Sequence, residues 1–470
     1  MDITVKPPQN SENIGSFSRA CQYLVSLPER MKGQIVTFAL TVKKLGQEDP
    51  RRIIHAFKVG LAITIVSMFY YFQPLYNGFG VSAMWAVLTV VVIFEFTVGA
   101  TLGKGLNRMI ATCVAGYLGV SAHHLADLSG RTGEPILLGL FGFLVAGTMT
   151  FMRFLPKVKA RYDYGFMIFI LTFSLVAVSG YRDDEVMKIA HQRLSTIIIG
   201  GCIAMLICIC ICPVWSGAEL HNLISSNIEK LGNFLEGFGG EYLPSMEGKS
   251  KEEKPFRHQY KSVLGSKSTE ETMANQAAWE PSHGRFRFRH PWKQYLKIGA
   301  LTRQCAYRVD VLNKYLNSNV QMPPEIQENI KEACTKLSSE MGKALKEIAM
   351  EMKKMRRTST AKTHMIKSKA AAQELKSLLK VTSLWEKFNL LDILPAATVA
   401  SVLIDIVSCV ESISEGVCEL ASMAGFKSPD SSVGPDEQKL TEMSSETTPG
   451  PHHDHDHHIV IIKDAELGAY

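Results

Sequence analysis

Residues 85–96 read WAVLTVVVIFEF, and residues 98–109 read VGATLGKGLNRM. The fold turns on how these two runs are joined. The second run has the look of a phosphate cradle, with Gly99, Gly103 and Gly105 around Lys104. A nucleotide loop needs four residues between the first glycine and its Gly-Lys pair, and a hydroxyl residue after the lysine to hold magnesium. Here only Ala100, Thr101 and Leu102 fill the gap, and Gly105 follows the lysine. The apolar run before it has helix length, whereas such a loop follows a short strand. Nucleotide binding is therefore excluded. Residues 81–100 read as a membrane span, and the glycines as a tight joint between two membrane helices that approach closely.

Working outward, apolar runs near the length needed to cross a bilayer recur at 53–72, 81–100, 106–122, 135–152, 164–180 and 194–215. Short joints separate them, which argues against a soluble apolar core. Lys and Arg concentrate in alternate joints. Arg51, Arg52 and Lys58 mark the approach to the first span. Lys104 and Arg108 mark the joint of spans two and three, and Arg153, Lys157, Lys159 and Arg161 that of spans four and five. The basic side is expected to be cytosolic, which places both termini in the cytosol. The spans are also rich in glycine, which favours close helix packing or oligomerisation in lipid.

The chain has 470 residues and a formal net charge of +6, and mean hydropathy near zero (+0.05) hides a division. Residues 1–50 hold scattered charge and no signal-peptide pattern, and read as a cytosolic N-terminal segment. Residues 51–215 form the membrane domain. Residues 216–426 carry amphipathic helical patterns and read as a helical cytosolic domain, with helices expected over 220–238, in the second half of 279–316, and near 324–355, 366–386 and 395–424. Residues 427–470 read as a disordered His- and Ser-rich tail. The expected fold is an all-α membrane protein of about six transmembrane helices followed by a helical cytosolic domain.

Chemistry-bearing residues are few. Cys202, Cys208, Cys210 and Cys212 lie in one apolar run on different helix faces, so they do not converge on a metal. No cofactor, metal centre, catalytic constellation or disulfide framework is expected. Lys104 and Arg108 are four apart and share a helix face, as snorkelling anchors or as the lining of an anion path. Lys58 lies inside span one, and Arg193 begins span six at the opposite side, which favours the anion path. Glu95, inside span two, reads as a counter-ion to Lys58 or Lys104, or as a gating group. Asp183, Asp184 and Glu185 offer a weak external cation site, opposed by Lys188, and read more simply as a solvated loop. FRFRH (286–290) alternates Phe and Arg but reads as a packed loop, not a nucleic-acid surface. The run HHDHDHH (452–458) has metal-binding composition without a scaffold.

Several stretches together resemble the plant aluminium-activated malate transporter family. They are EDPRRIIHAFKVGLA (48–62), AMWAVLTVVVIFEFTVGATLGKGLNR (83–108), RFLPKVKARYDYG (153–165), HQRLSTIIIGG (191–201), CPVWSGAELH (212–221) and WEPSHGRFRFRHPWKQY (279–295). The resemblance spans about residues 47–425. It implies a homodimeric anion channel, not an enzyme, passing malate and other organic or inorganic anions among membrane lipids. By resemblance Arg108 and Arg193 line the pore, and Lys58, Lys104 and Arg153 match further basic positions. Plasma-membrane members are the nearer resemblance, ahead of vacuolar ones. Activation by aluminium does not carry over automatically with the resemblance: the first outer loop, QPLYNGFG, has no carboxylate, and Lys188 places positive charge beside the acidic cluster. Two alternatives stand beside the channel. One is a proton-coupled organic-acid exporter using Glu95 or His191. The other is a cytosolic scaffold that the spans merely tether.

Overall fold

The computed structural model describes residues 31, 33–72, 83–180, 186–241, 256–317, 323–381 and 388–427. Helices dominate throughout, and among the described residues the only β pairing is two isolated bridges. An exposed helix at 33–48 leads into α1 (Arg51–Tyr71), followed by α2 (Ala83–Ile93), α3 (Val98–Asp127), α4 (Gly130–Met152), α5 (Pro156–Gly180) and α6 (Val186–Cys210). The second half contains α7 (Ser216–Glu241), two one-turn helices, α8 (Lys267–Ala277), α9 (Trp292–Asn317), α10 (Pro324–Lys354), α11 (Thr360–Lys380) and α12 (Leu390–Ala424).

Length and composition make α1, α3, α4 and α5 able to cross a membrane, while α2 and α6 are shorter apolar helices within the described residues. Their surfaces explain why. On α4, Ile136, Phe143 and Phe151 are each at least 70% exposed in the chain. A soluble protein does not present such contiguous apolar surface to water, so hydrocarbon is its solvent. Two small cores organise the spans. Ala62, Val66, Val90, Ile93 and Ala204 bring α1, α2 and α6 together. Ala111, Ala115, Leu138, Phe169 and Phe173 bring α3, α4 and α5 together.

The joint between spans two and three is not where the glycines suggested. It is Phe94–Thr97, and residues 98–109 are the first three turns of α3, a helix of 30 residues, or about 45 Å. Thr97 caps α3 by accepting the Ala100 N–H at 3.3 Å. The buried Thr101 hydroxyl closes the break, accepting the Glu95 N–H at 3.0 Å. Glu95 therefore sits in this break and not inside a span.

The second half is a helical bundle around one large core. α7 and α10 cross at a glycine pair: a Cβ on Gly342 would lie 2.8 Å from the Gly232 carbonyl oxygen. α12 is itself apolar and long enough to cross a membrane. Yet Leu403, Ile406, Val410, Ile413 and Leu420 are fully buried and share a core with Leu231 and Phe234 of α7. Its apolar stripe is a bundle seam at helical spacing.

Inside this bundle Tyr295 Oη lies between two buried imidazoles, 2.9 Å from His221 Nδ1 and 3.2 Å from His290 Nε2. Burial holds both histidines down to about 4. Both are neutral in the fold at neutral pH and must gain charge in a site that disfavours it. Their contribution to stability is complete above the unfolded value of 6.5 and is lost as pH falls from there toward 4. The melting midpoint of the purified full chain is expected to fall over that window. The loss should be shallower in His290→Gln; an equal slope in the variant would rule out the histidine pair as its source.

Candidate functional site

The site is assembled by one carboxylate. Glu280, in the turn after α8, is 6% exposed. It accepts the Gly99 N–H at 3.1 Å from the start of α3, and the Ser216 and Gly217 N–H groups at 2.6 and 3.0 Å from the start of α7. Each helix N-terminus carries roughly half a positive charge, so one carboxylate matches two of them. Burial pushes the Glu280 carboxyl above its ordinary range, against the pull of these N–H donors and His283. The backbone approach is close: a Cβ on Gly99 would lie 2.5 Å from the Gln276 carbonyl oxygen, and one on Gly103 3.0 Å from Trp279. The α3 glycines thus receive the Gln276–Glu280 segment of the second half. Arg161, near the start of α5, lies over the Trp279 ring at 4.6 Å. Arg51, at the start of α1, donates to Glu219 of α7 at 2.7 Å.

One turn further along α3 stand the basic residues. The Lys104 ammonium pairs with the Glu95 carboxylate and lies 5.9 Å from the centre of the Tyr164 ring. Arg108 is 5% exposed, donates to Tyr164 Oη at 3.0 Å, and its buried Nε has no hydrogen-bond partner. Tyr164 on α5 is therefore the common neighbour of both cations. Burying a guanidinium with one neutral acceptor and no carboxylate costs several kcal/mol, on the order of an unpaired buried ion. The charges of Lys104, Arg108 and Glu95 sum to one positive charge. Such a site is chemically suited to an anion that supplies the missing acceptor.

The other basic residues have different surroundings. Lys58 is 2% exposed and its ammonium donates to the Cys212 carbonyl oxygen at 2.9 Å, where the backbone takes a left-handed φ of 37°. Arg153 forks onto Asp163 at 2.7 and 3.2 Å and closes the turn between α4 and α5. Arg193 lies on α6, with a side chain outside the described residues. Asp183, Asp184, Glu185 and the HHDHDHH run also lie outside the described residues. Of the two partners expected for Glu95, the fold supplies Lys104.

Three features of the fold are not visible in the sequence. Tyr164 touches Arg108 across 56 positions, and Glu280 reaches Gly99 across 181; no local pattern reports either pairing. At the other end of α3, one ligand atom each from His123, Asp127 and Glu134 lies within 4.8 Å of the others. His123 and Asp127 are four apart on one helix, a spacing the sequence displays, but Glu134 comes from α4.

Residues 43–386 match the family model described as aluminium activated malate transporter. Among curated proteins, the chain is 53% identical over 428 residues to aluminum-activated malate transporter 2 of Arabidopsis thaliana, covering 89% of this chain and 84% of the relative. It is 50% identical to aluminum-activated malate transporter 1 of the same plant, covering 89% and 86%. It is 43% identical to aluminum-activated malate transporter 1 of Triticum aestivum, covering 92% and 95%.

The anchoring role of Glu280 is measurable. Glu280→Ala strands three buried N–H groups and is expected to cost about 3 kcal/mol or more. Gly99→Ala forces the Gln276 segment away and should cost ~1–3 kcal/mol. Both appear as lowered melting midpoints of the purified full chain. An unchanged midpoint in both variants would remove the anchor from the account.

Proposed function

Because this chain belongs to the aluminium-activated malate transporter family, whose members are transporters and not enzymes, we propose that it is an anion channel passing malate and related anions across a plant membrane. The observation that carries the proposal is Arg108, a buried guanidinium with an unsatisfied Nε and, among the described residues, a tyrosine hydroxyl as its one hydrogen-bond partner. A dianion such as malate cannot shed its water into hydrocarbon without a replacement. A guanidinium fork with spare donors supplies that replacement, and the single positive charge left after the Lys104–Glu95 pair keeps binding weak enough for release. Arg193 of α6 is the second proposed pore residue. Lys104 shares the path with Arg108, while Lys58 and Arg153 act through their backbone and Asp163 contacts.

Orientation has support in the geometry. The starts of α1, α3 and α5 lie at one end, tied to the C-terminal bundle by Arg51–Glu219, Glu280–Gly99 and Arg161–Trp279. That end carries the Lys- and Arg-rich joints, so the bundle is cytosolic in this reading, with residues 51–215 as the membrane domain, 216–426 as the cytosolic one and both termini inside. The plasma membrane is the proposed location, from the nearer resemblance of residues 51–62 and 286–295. A homodimer is supported by Gly60, Gly116, Gly139, Gly142 and Gly147, where an added Cβ would meet nothing within 4 Å among the described residues beyond their own helices, which leaves faces for a second copy or for lipid.

Arg108→Ala and Arg193→Ala are each expected to lower malate current at least tenfold in oocytes at unchanged surface expression. Tyr164→Phe should lower it by a smaller factor. The reversal potential should follow the malate gradient and ignore an imposed proton gradient. Undiminished current and selectivity in both arginine variants would refute the pore assignment, and a proton-dependent reversal potential would favour a coupled exporter.

A further inference from the structure

The bundle holds a second basic site, remote from the membrane helices. Two helix C-termini meet there: α10 ends at Met355 and α12 at Gly425, both with left-handed backbone, φ 51° and 69°. Lys427 staples them, donating its N–H to the Met355 carbonyl oxygen at 3.2 Å and accepting the Arg357 N–H at 3.0 Å. A short antiparallel bridge from His283 to Phe286 forms the facing wall. Gly284, with a left-handed φ of 53°, and Arg285 form the turn between the bridged residues. Phe286 turns into the core, and Arg285 and Arg287 both face the opening. Of the FRFRH run at 286–290, only Phe286 and Arg287 belong to the cavity lining.

Between these walls lies an open cavity of about 1090 Å³, ample for a small ligand. Arg285, Arg287, Lys353, Lys354, Arg356 and Lys427 line it, and none of the six forms an ion pair among the described residues. A seventh cation, Lys346, pairs with Glu236. Glu229 is the one carboxylate in the lining. Arg285 donates to the Lys354 carbonyl oxygen at 3.2 Å, and the six cations less that carboxylate leave five positive charges. Helix dipoles account for only part of this, since two C-termini together present about one negative charge. All six cations are exposed, so water and salt screen the remainder, and their convergence favours a multivalent anion over a monovalent one. Two adjacent guanidiniums suit phosphate oxygens, lysines add point charges, and a concave wall focuses the field. Phe286, Met350 and Met355 give the floor an apolar patch.

We propose that this cavity binds a polyphosphate group carrying three or more charges, presented by a soluble metabolite or by a phosphoinositide headgroup. The wall bearing Arg285 and Arg287 follows directly on Glu280, the anchor of α3, so an occupied cavity bears on the segment that holds the basic end of that helix. The binding itself is independent of the proposed malate permeability and is tested apart from it.

The full chain in phosphatidylcholine nanodiscs would be titrated with sodium tripolyphosphate by calorimetry. Saturable binding is expected, at least tenfold tighter than that of monophosphate. R285Q/R287Q and, on the opposite wall, K353Q/K354Q should each weaken it at least tenfold, with K362Q/K376Q on α11 as an unchanged control of equal charge loss. The two walls are independent, so misfolding of one variant leaves the other to decide. Repeating the titration in discs containing phosphatidylinositol 4,5-bisphosphate separates the sources. A tenfold loss of tripolyphosphate affinity there means that a headgroup occupies the cavity, and an unchanged affinity means a soluble ligand. Wild-type affinity no better than for monophosphate, or affinity untouched in both double variants, would overturn the proposal.

Discussion

Everything at the basic end of this molecule depends on a buried carboxylate between two helix starts. Glu280 satisfies N–H groups of α3 and α7 at once. Without it, both helix ends would be buried with orphaned donors, a cost that neither helix recovers by its own packing. The requirement reaches further. Gly99 and Gly103 must lack side chains for the segment to approach, Trp279 must lie flat enough for Arg161, and Trp215 stacks on His283 at 3.9 Å. α3, α5 and α7 are therefore fixed relative to one another at one end, and the register of Lys104 and Arg108 against Tyr164 follows from that.

The charges on α3 make sense in this frame. Lys104 and Arg108 are one helical turn apart, yet their environments differ. Lys104 is half-exposed and neutralised by Glu95. Arg108 is buried and holds its charge with a tyrosine hydroxyl. A cation buried in this way is destabilising for the chain alone, and such local costs concentrate where function requires them. Lys58 and Arg153 spend their donors on the protein itself, whereas Arg108 keeps one free.

Much of this was legible in the sequence, for physical reasons. Apolar run length and Lys/Arg placement are local properties, so the helices at 51–210 and the pairing of Lys104 with Arg108 on one face could be read directly. The joint before α3 could not. Glycines suggested a turn at 98–105, but their purpose is to admit Gln276 and Trp279, residues some 175 positions away. Glu95 was misplaced for the same reason, since the cap on Thr97 and the Thr101 bonds set the break. The glycines serve close packing within the chain at Gly119 and Gly200, which meet Val176 and Ala86, whereas Gly60, Gly139 and Gly142 have no such neighbour among the described residues. Tyr164 and the cavity lined by Arg285, Lys353 and Lys427 are assembled from distant stretches, and no spacing in the sequence announces them.

The central claim is that a positive charge at position 108 faces the anion path. Its most direct test is chemical replacement of that charge. Arg108→Cys would be recorded in oocytes before and after a cationic methanethiosulfonate, with an anionic reagent and wild type as controls. The account predicts low malate current from the variant, recovery with the cationic reagent and none with the anionic one. Equal currents under all conditions, or recovery with either reagent alike, would contradict it.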